Sequence, residues 1–300
     1  MTLRKISLII LSLLVFYSTA HAFTGYVQRF DEGRTIAWGD GGVTVVGEVE
    51  ADAEDDAEAA SPLSVRKAAS KARKQMLDMI LSVRIDAKQT VSAYLSDNDD
   101  LAAQLRGQIH NSLFEGPDLL RDARTVTVSE SLRGKLAELI LPKTVPFQSG
   151  IPPRLSTATG PAFVPEPVGG AGGYTGVIVD ARGLDVTPCL LPVIYGQDGL
   201  GAYGAFLVSR QTAVENGVAA YANTASPEVL AERVGKHPLA VKAARVYGSW
   251  KTDLVVSTQE AALIRAIMQS GATRKGGVVI VIDTPPAPAR STVEEGDFDA

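Results

Sequence analysis

The stretch that decides the fold of the N-terminal half runs from residue 61 to residue 83 and reads SPLSVRKAASKARKQMLDMILSV. Ser61 followed by Pro62 predicts a helix start, because serine caps the first free amides and proline suits the first turn. Apolar residues then recur at helical spacing on one face: Val65, Ala69, Ala72, Met76, Met79 and Val83. We therefore expect one long helix over 63–83, whose alanines allow close packing on a sheet.

Short β-branched runs on both sides of this helix predict strands. Residues 35–39 and 43–47 are separated by a glycine-rich turn and predict a hairpin. Residues 125–128 predict a further strand, and residues 131–141 predict a short amphipathic helix. The N-terminal half, residues 23–141, is therefore expected to be a small domain of sheet and helix.

Residues 142–173 form a proline- and glycine-rich stretch, with seven prolines and six glycines. Proline removes backbone donors and glycine raises the entropic cost of ordering, so the stretch is expected to be an extended linker or a wrapping segment. Its glycine cluster at 169–173 precedes a strand and opens no helix, which argues against nucleotide binding. Residues 284–300, rich in proline and acid, are expected to be a disordered tail.

The C-terminal half, residues 174–283, alternates strands and helices irregularly. Strands are expected at 174–180, 190–195, 202–208, 241–246, 253–256 and 276–283, and helices at 210–221, 227–234 and 258–269. The last strand is continuously apolar, which predicts burial on both faces. Because strict β-α alternation is missing, the fold class is α+β, with two small mixed sheet-and-helix domains joined by the proline- and glycine-rich linker.

The first 22 residues have the pattern of a secretory leader: two cations, Arg4 and Lys5, an apolar run over 6–17, and small residues before the exit. Cleavage is expected between Ala22 and Phe23, which places the mature chain in the periplasm. The alternative is an uncleaved membrane helix, but the run falls short of the roughly 20 residues that span a bilayer. A lipid anchor would need cysteine at the mature N-terminus, where Phe23 stands, so we expect none.

Charge narrows the classes of partner. The formal net charge of −5 becomes −7 when Arg4 and Lys5 leave with the leader. Such a surface disfavours nucleic-acid binding, which depends on neutralising phosphates. No later apolar stretch reaches membrane-spanning length, so no stable membrane insertion is expected after cleavage. An acidic run at 48–58 lacks the spacing of a calcium loop and is expected to be a solvated loop.

Residues able to carry chemistry are few. The mature chain has two histidines, His110 and His237, and one cysteine, Cys189, in an apolar context that predicts a buried inert thiol. No catalytic motif is recognisable, so no catalytic residue, cofactor or metal site is predicted. Residues 177–183 resemble the opening strand of zinc-dependent cell-wall amidases, but Arg182-Gly183 stand where those enzymes continue their Asp-Ala-Gly-His pattern with a metal-binding histidine. A cell-wall hydrolase is therefore the least favoured function.

Asp180 and Arg182 end an apolar strand immediately before a glycine turn. A carboxylate and a guanidinium at a strand end could bind a polar ligand. The alternative is an ion pair that fixes the turn, with Asp180 accepting nearby backbone amides. The turn-fixing alternative is favoured, and the ligand site stays open.

Two groups of motifs carry a family resemblance. Residues 38–42 (WGDGG), 68–77 (AASKARKQML) and 85–91 resemble the lipoprotein-20-like family of bacterial envelope proteins, and are similar to the N-terminal domain of flagellar assembly protein T. That family has a strand with Trp and Gly, then an alanine-rich helix running into a strand. Residues 174–188, 237–244 and 278–283 are similar to segments of larger relatives.

The resemblance implies a non-enzymatic envelope protein with a structural or assembly role, associated with the flagellum or cell surface, and partnered by other envelope proteins. A homo-oligomer stays open. The chain departs from the family in lacking the lipid-bearing cysteine, which favours periplasmic residence. The alternative function is a periplasmic binding module that uses the strand end at Asp180 and Arg182.

Overall fold

A computed structural model of the chain describes residues 23, 25–49, 61–116, 124–156, 172–269 and 276–284. Several expectations lie outside this part of the chain: the leader with Ala22, most of the acidic run at 48–58, residues 157–171 of the linker, and the tail after residue 284.

The N-terminal half contains a five-stranded sheet in the order β1-β2-β3-β5-β4, with every neighbouring pair antiparallel. The predicted hairpin is confirmed as β2 and β3, and the predicted strand at 125–128 is confirmed as part of β5. The strands are β1 (Val27–Arg29), β2 (Arg34–Ala37), β3 (Gly42–Glu48), β4 (Phe114–Glu115) and β5 (Thr125–Ser131).

The predicted long helix is confirmed as α1 (Pro62–Ser82), which packs on β3 and β5. The Ser61 side chain accepts a hydrogen bond from the amide of Ser64, as expected of an N-cap. The predicted face is buried except for Val65, which is partly exposed, and Ala68 and Ile80 join it. The alanines bring the helix close to the sheet: a Cβ on Gly47 would lie 3.1 Å from the Ala68 carbonyl oxygen.

Three more helices complete this half: α2 (Val91–Leu95), α3 (Asp99–His110) and α4 (Lys135–Ile140). The helix expected over 131–141 begins only at Lys135, because β5 extends to Ser131 and Gly134 adopts a φ of 59°. The family resemblance implies a strand after α1, and this expectation is wrong. Residues 84–90 instead form a tight loop closed by a bridge between Arg84 and Thr90.

The C-terminal half contains a four-stranded sheet in the order β10-β6-β13-β9, with every pair parallel. Its last strand, β13, is buried throughout, which confirms the expected burial on both faces. Helix α6 covers one face through Leu230 and Val234. The elements are β6 (Gly176–Asp180), β9 (Ala220–Ala222), α6 (Pro227–Val234), β10 (Pro238–Lys242) and β13 (Val278–Val281).

A second four-stranded sheet has the order β11-β12-β7-β8, with β7 and β12 parallel and the other pairs antiparallel. Helix α7 packs on β7 and β8. The elements are β7 (Ile194–Gly196), β8 (Gly201–Tyr203), α5 (Arg210–Asn216), β11 (Arg245–Tyr247), β12 (Asp253–Val256) and α7 (Thr258–Gln269).

Four expectations for this half need correction. The strand expected over 190–195 begins only at Ile194, because Pro192 has no amide and the amides of Leu190 and Leu191 donate to the loop after α1. The helix expected over 210–221 ends at Asn216, because Gly217 turns the chain with a φ of 75°, and β9 follows. The strand expected over 241–246 is divided at 243–244 into β10 and β11, which belong to different sheets. The strand expected over 202–208 ends at Tyr203, and residues 205–207 form a 3-10 turn.

The two halves share one hydrophobic core. Its main cluster combines Met76 and Leu136 with Val177, Tyr221 and Leu254 from the C-terminal half. Backbone hydrogen bonds also cross between them: the amide of Tyr26 donates to the Tyr221 carbonyl at 2.8 Å, and the amide of Tyr221 donates to the Trp38 carbonyl at 3.3 Å. The fold class is α+β, as predicted. The domain boundaries themselves stay predictions.

The first part of the proline- and glycine-rich stretch lies along the C-terminal half. The amides of Gln148 and Gly150 donate to the carbonyls of Ala205 and Phe206, and the amide of Leu155 donates to the Gly199 carbonyl. Residues 147–155 therefore wrap the β7–β8 hairpin, which is the second of the two alternatives that the composition left open.

Candidate ligand cleft between the two halves

A cleft of about 410 Å³ lies where the loop after α1, the wrapping segment and the β7–β12 pair meet. This volume is in the range of small-molecule sites in proteins. Its lining is mainly apolar and aromatic, with two carboxylates and one lysine: Asp86, Ala87, Lys88, Gln89, Thr144, Val145, Pro146, Ile151, Pro153, Leu191, Val193, Tyr195, Ala205, Phe206 and Asp253.

Asp86 shapes the loop that forms one wall. Its Oδ1 accepts hydrogen bonds from the amides of Lys88 at 2.7 Å and Gln89 at 3.0 Å. This Asx turn reverses the chain immediately after the helix. The loop is tied to the C-terminal half, because the amides of Leu190 and Leu191 donate to the carbonyls of Arg84 and Ile85. The Asp86 carboxylate is therefore held in place from both halves.

Asp253 begins β12 and is only 4 % exposed. Its Oδ1 accepts a hydrogen bond from the Val193 amide at 3.1 Å. Burial raises the pKa of the Asp253 carboxyl to about 6 in spite of that hydrogen bond, and the negative charge of Asp86 adds to the increase. The cleft thus contains a carboxyl group whose ionised form is poorly solvated.

An aromatic wall faces the same space. Tyr195 on β7 and Phe206 in the 3-10 turn are both buried. The Tyr195 ring meets the Tyr247 ring edge to face, with 5.9 Å between centroids. Burial raises the pKa of the Tyr195 phenol, and Asp253 and Tyr247 raise it further, so this hydroxyl stays neutral at physiological pH.

No cation in the described part of the chain forms an ion pair with Asp253 or Asp86. Lys88 supplies the single cation of the lining, and its side chain is exposed. The cleft consequently combines a largely apolar wall with two carboxylates that no described cation pairs with.

An arginine and a tryptophan lie next to the cleft. The Arg84 guanidinium stacks over the Trp250 ring at 4.0 Å and donates through Nε to the Asp86 carbonyl at 3.2 Å. Trp250 is 54 % exposed, so the stacked pair extends the apolar surface from the loop toward solvent.

The predicted pair Asp180 and Arg182 lies elsewhere, at the end of β6. Arg182 Nε and Nη2 donate to the two carboxylate oxygens of Asp180 at 2.9 and 2.6 Å, and the Arg182 amide donates to Oδ1 at 3.1 Å. These hydrogen bonds lower the pKa of Asp180. The amide of Gly183 donates to Asp283. This is the geometry of a turn-fixing pair, and the ligand role stays a prediction.

The other residues singled out in the sequence are dispersed. His110 ends α3 and His237 precedes β10. Cys189 is 1 % exposed, as expected, and its thiol lies 3.8 Å from the Tyr221 hydroxyl. Burial raises the pKa of this thiol. In the described ranges, no three His, Cys, Asp or Glu side chains are close enough to hold a metal ion.

Phe23, the first residue after the predicted cleavage point, is partly buried. It packs against the cluster that includes Ile178, Leu230 and Val279. Gly25 follows with a φ of 69°, and a Cβ there would lie 2.3 Å from the Tyr221 carbonyl oxygen. The chain is therefore in contact with the C-terminal half from residue 23 onward.

The sequence analysis missed Asp86, Tyr195 and Asp253, because they belong to three separate segments. A weak signal exists for Asp253, a carboxylate directly before the apolar run of β12. An acid at that position is unusual, since isolated carboxylates are rarely fully buried. No comparable signal marks Tyr195.

Fold and cleft together define an α+β protein whose two halves enclose a ligand-sized site. Residues 176–284, from the start of β6 to three residues beyond β13, match the family model of the second domain of Treponema pallidum Tp0624. No curated protein matches the chain. Of the helices that the structure describes, none combines the length and the apolar character needed to cross a membrane.

Proposed function

We propose that this chain is a non-enzymatic protein of the bacterial cell envelope, resident in the periplasm, with a structural or assembly role at the cell surface or flagellum. It acts by binding other envelope proteins or their ligands and does not turn over a substrate. The observation that carries the proposal is the cleft, where apolar walls surround two carboxylates, a lining suited to recognition.

Several observations support a binding role over a hydrolytic one. The nucleophile that the sequence offers, Cys189, is enclosed with Tyr221, whose hydroxyl exchanges hydrogen bonds with the Cys189 backbone at 3.1 and 3.2 Å. Tyr203 likewise donates to the Val218 carbonyl. The hydroxyl groups of Tyr203 and Tyr221 are therefore used in hydrogen bonds to the backbone inside the fold. Export is supported by the leader pattern of residues 1–22.

The resemblance to the lipoprotein-20-like family and to flagellar assembly protein T belongs to this proposal. The order of elements supports it: a hairpin containing Trp38 is followed by an alanine-rich helix on the same sheet. The match of residues 176–284 to the second domain of Treponema pallidum Tp0624 supports a C-terminal unit distinct from the N-terminal one.

The alternative function is a binding module at Asp180 and Arg182. Both side chains are partly exposed at the end of a strand, which favours access. Against it, Arg182 already occupies both oxygens of Asp180. Under this alternative, Asp180→Ala should abolish the increase in Tm that a ligand produces.

The proposal is tested by cross-linking in intact cells that express the full chain. A photo-reactive amino acid is placed at Ile151, which lines the cleft and is 74 % exposed, and at Val229 on α6, which is 56 % exposed. We expect envelope proteins to be captured at position 151 and not at the control position 229.

Cell fractionation and N-terminal sequencing complete the test. The mature chain should begin at Phe23 and be recovered in the periplasmic fraction. Recovery from the cytosol with the leader attached, or equal capture at the two positions, would contradict the proposal.

A further inference from the structure

The two carboxylates restrict the kind of ligand that can bind in the cleft. Moving an ionised carboxyl group out of water is unfavourable unless it is paired with a cation or hydrogen-bonded. Oδ1 of Asp253 accepts from the Val193 amide at 3.1 Å and weakly from the Thr252 hydroxyl at 3.5 Å, and no described cation pairs with this carboxylate. Asp86 lines the same space and adds a second negative charge.

From this geometry we infer that the cleft binds an organic ammonium ion carried on an apolar stem, with the charge at Asp253 and Asp86 and the stem along the aromatic wall. The inference rests on the proposal that the protein acts by binding, and it names the chemistry of what is bound.

The walls fit both parts of such a ligand. Tyr195 and Phe206 present aromatic rings beside the carboxylates, and aromatic faces attract cations. Leu191, Val193 and Pro153 complete an apolar surface for the stem. The hydrophobic contribution of such a stem is about 0.8 kcal/mol for each buried methylene group.

An ammonium ion fits this site better than a metal ion. Calcium takes six to eight oxygen ligands, whereas this cleft offers two carboxylates in a largely apolar lining. Oδ1 of Asp253 accepts hydrogen bonds from the Val193 amide and, at 3.5 Å, from the Thr252 hydroxyl, whereas Oδ2 accepts none from the described residues. A compact point charge needs only the remaining oxygen.

The experiment uses isothermal titration calorimetry of the purified mature chain with n-hexylamine at pH 8. Hexan-1-ol is the uncharged control and hexanoate the control of opposite charge. We expect hexylamine to bind at least tenfold more tightly than hexanol, and hexanoate more weakly still. Equal affinity for hexylamine and hexanol would overturn the inference.

Two variants locate the site. Asp253→Asn keeps the acceptor for Val193 and should reduce hexylamine affinity at least tenfold. Asp185→Asn removes an exposed carboxylate that pairs with Lys251 and should leave affinity unchanged. If Asp253→Asn fails to fold, Asp86→Asn, which retains the turn acceptor, should still lower affinity at least threefold. Unaltered binding by a folded variant of either aspartate would refute the inference.

One further probe distinguishes a protein lysine from a free amine as the ligand. A comparison with the cross-linking result distinguishes failure of this inference from failure of the proposed function. N-acetyl-lysine methylamide presents the same ammonium group on a peptide backbone, so tighter binding of this probe than of hexylamine identifies a protein lysine as the natural ligand, and the reverse identifies a free amine. Because calorimetry does not depend on export, loss of hexylamine binding with intact capture at position 151 rejects only this inference.

Discussion

The burial of Asp253 makes the free energy of unfolding depend on pH. Its carboxyl has a pKa of about 6 in the folded chain, against an ordinary value of 3.8. As pH rises from about 4 to 6, the unfolded state loses its proton first, so the free energy of unfolding falls. The loss is complete above pH 6 and absent below pH 4.

Asp253→Asn should therefore stabilise the protein at pH 8 by up to about 3 kcal/mol, since each pKa unit corresponds to about 1.4 kcal/mol, and change little at pH 4. Urea denaturation at both pH values measures this. The exposed Asp185→Asn should alter stability by less than about 0.5 kcal/mol at either pH. A destabilised Asp253→Asn at pH 8 would mean that the ionised carboxylate is well solvated in the fold.

Any effect of pH on the cleft arises from several groups that face Asp253. These are Asp86 from the loop, Tyr195 from β7, Tyr221 from β9 and Tyr247 from β11, with the Cys189 thiol nearby and Lys88 in the lining of the cleft. The pKa of Asp253 itself is about 6 because of its burial. Affinity for an amine is accordingly expected to decrease as the pH is lowered from 8 to 5, as this carboxyl becomes neutral.

The burial of Cys189 leads to a second prediction about a single residue, namely that its thiol reacts slowly. The thiolate is the reactive form, and burial disfavours it here. A chromogenic disulfide reagent at pH 8 should modify the native protein at least a hundredfold more slowly than the protein in denaturant, which should react with one equivalent. Comparable rates would show that the thiol opens readily to solvent.

At the scale of elements, the contact between α1 and β3 depends on the absence of a side chain at Gly47. A Cβ there would meet the Ala68 carbonyl oxygen at 3.1 Å and the Ala72 Cβ at 3.2 Å. Gly47→Val should destabilise the fold by about 1–3 kcal/mol, as expected of overpacking. Chemical denaturation provides the measurement.

Gly107 in α3 offers a matched control, because a Cβ there meets nothing within 4 Å. Gly107→Ala should stabilise the protein by up to about 1 kcal/mol through helix propensity. If Gly47→Val left the free energy of unfolding unchanged, the contact between α1 and β3 would not require glycine at position 47.

The helices and strands differ in how accurately their positions can be predicted from the sequence. Helix α1 was predictable to within a residue because its cap and its apolar period are local signals. Strand β9 was missed because Ala220-Tyr221-Ala222 is compatible with the helical pattern before it, and its strand form depends on pairing with β13. The cleft could not be foreseen, since Asp86, Tyr195 and Asp253 meet only through long-range packing.

The shared core predicts how the whole molecule unfolds. Met76 and Leu136 belong to the same buried cluster as Val177 and Tyr221, so neither half buries its apolar surface alone. Calorimetry of the mature chain should show a single transition whose calorimetric and van't Hoff enthalpies agree. Two separated transitions would contradict one cooperative unit and would favour halves that fold independently.

The position of Phe23 also bears on how the protein matures. A peptidase needs several residues on each side of the bond in an accessible extended form, yet Phe23 packs on the folded body and Tyr26 is hydrogen-bonded to Tyr221. If the leader is removed after Ala22, as proposed, we expect the cut to precede the packing of Phe23 and Tyr26 onto the C-terminal half.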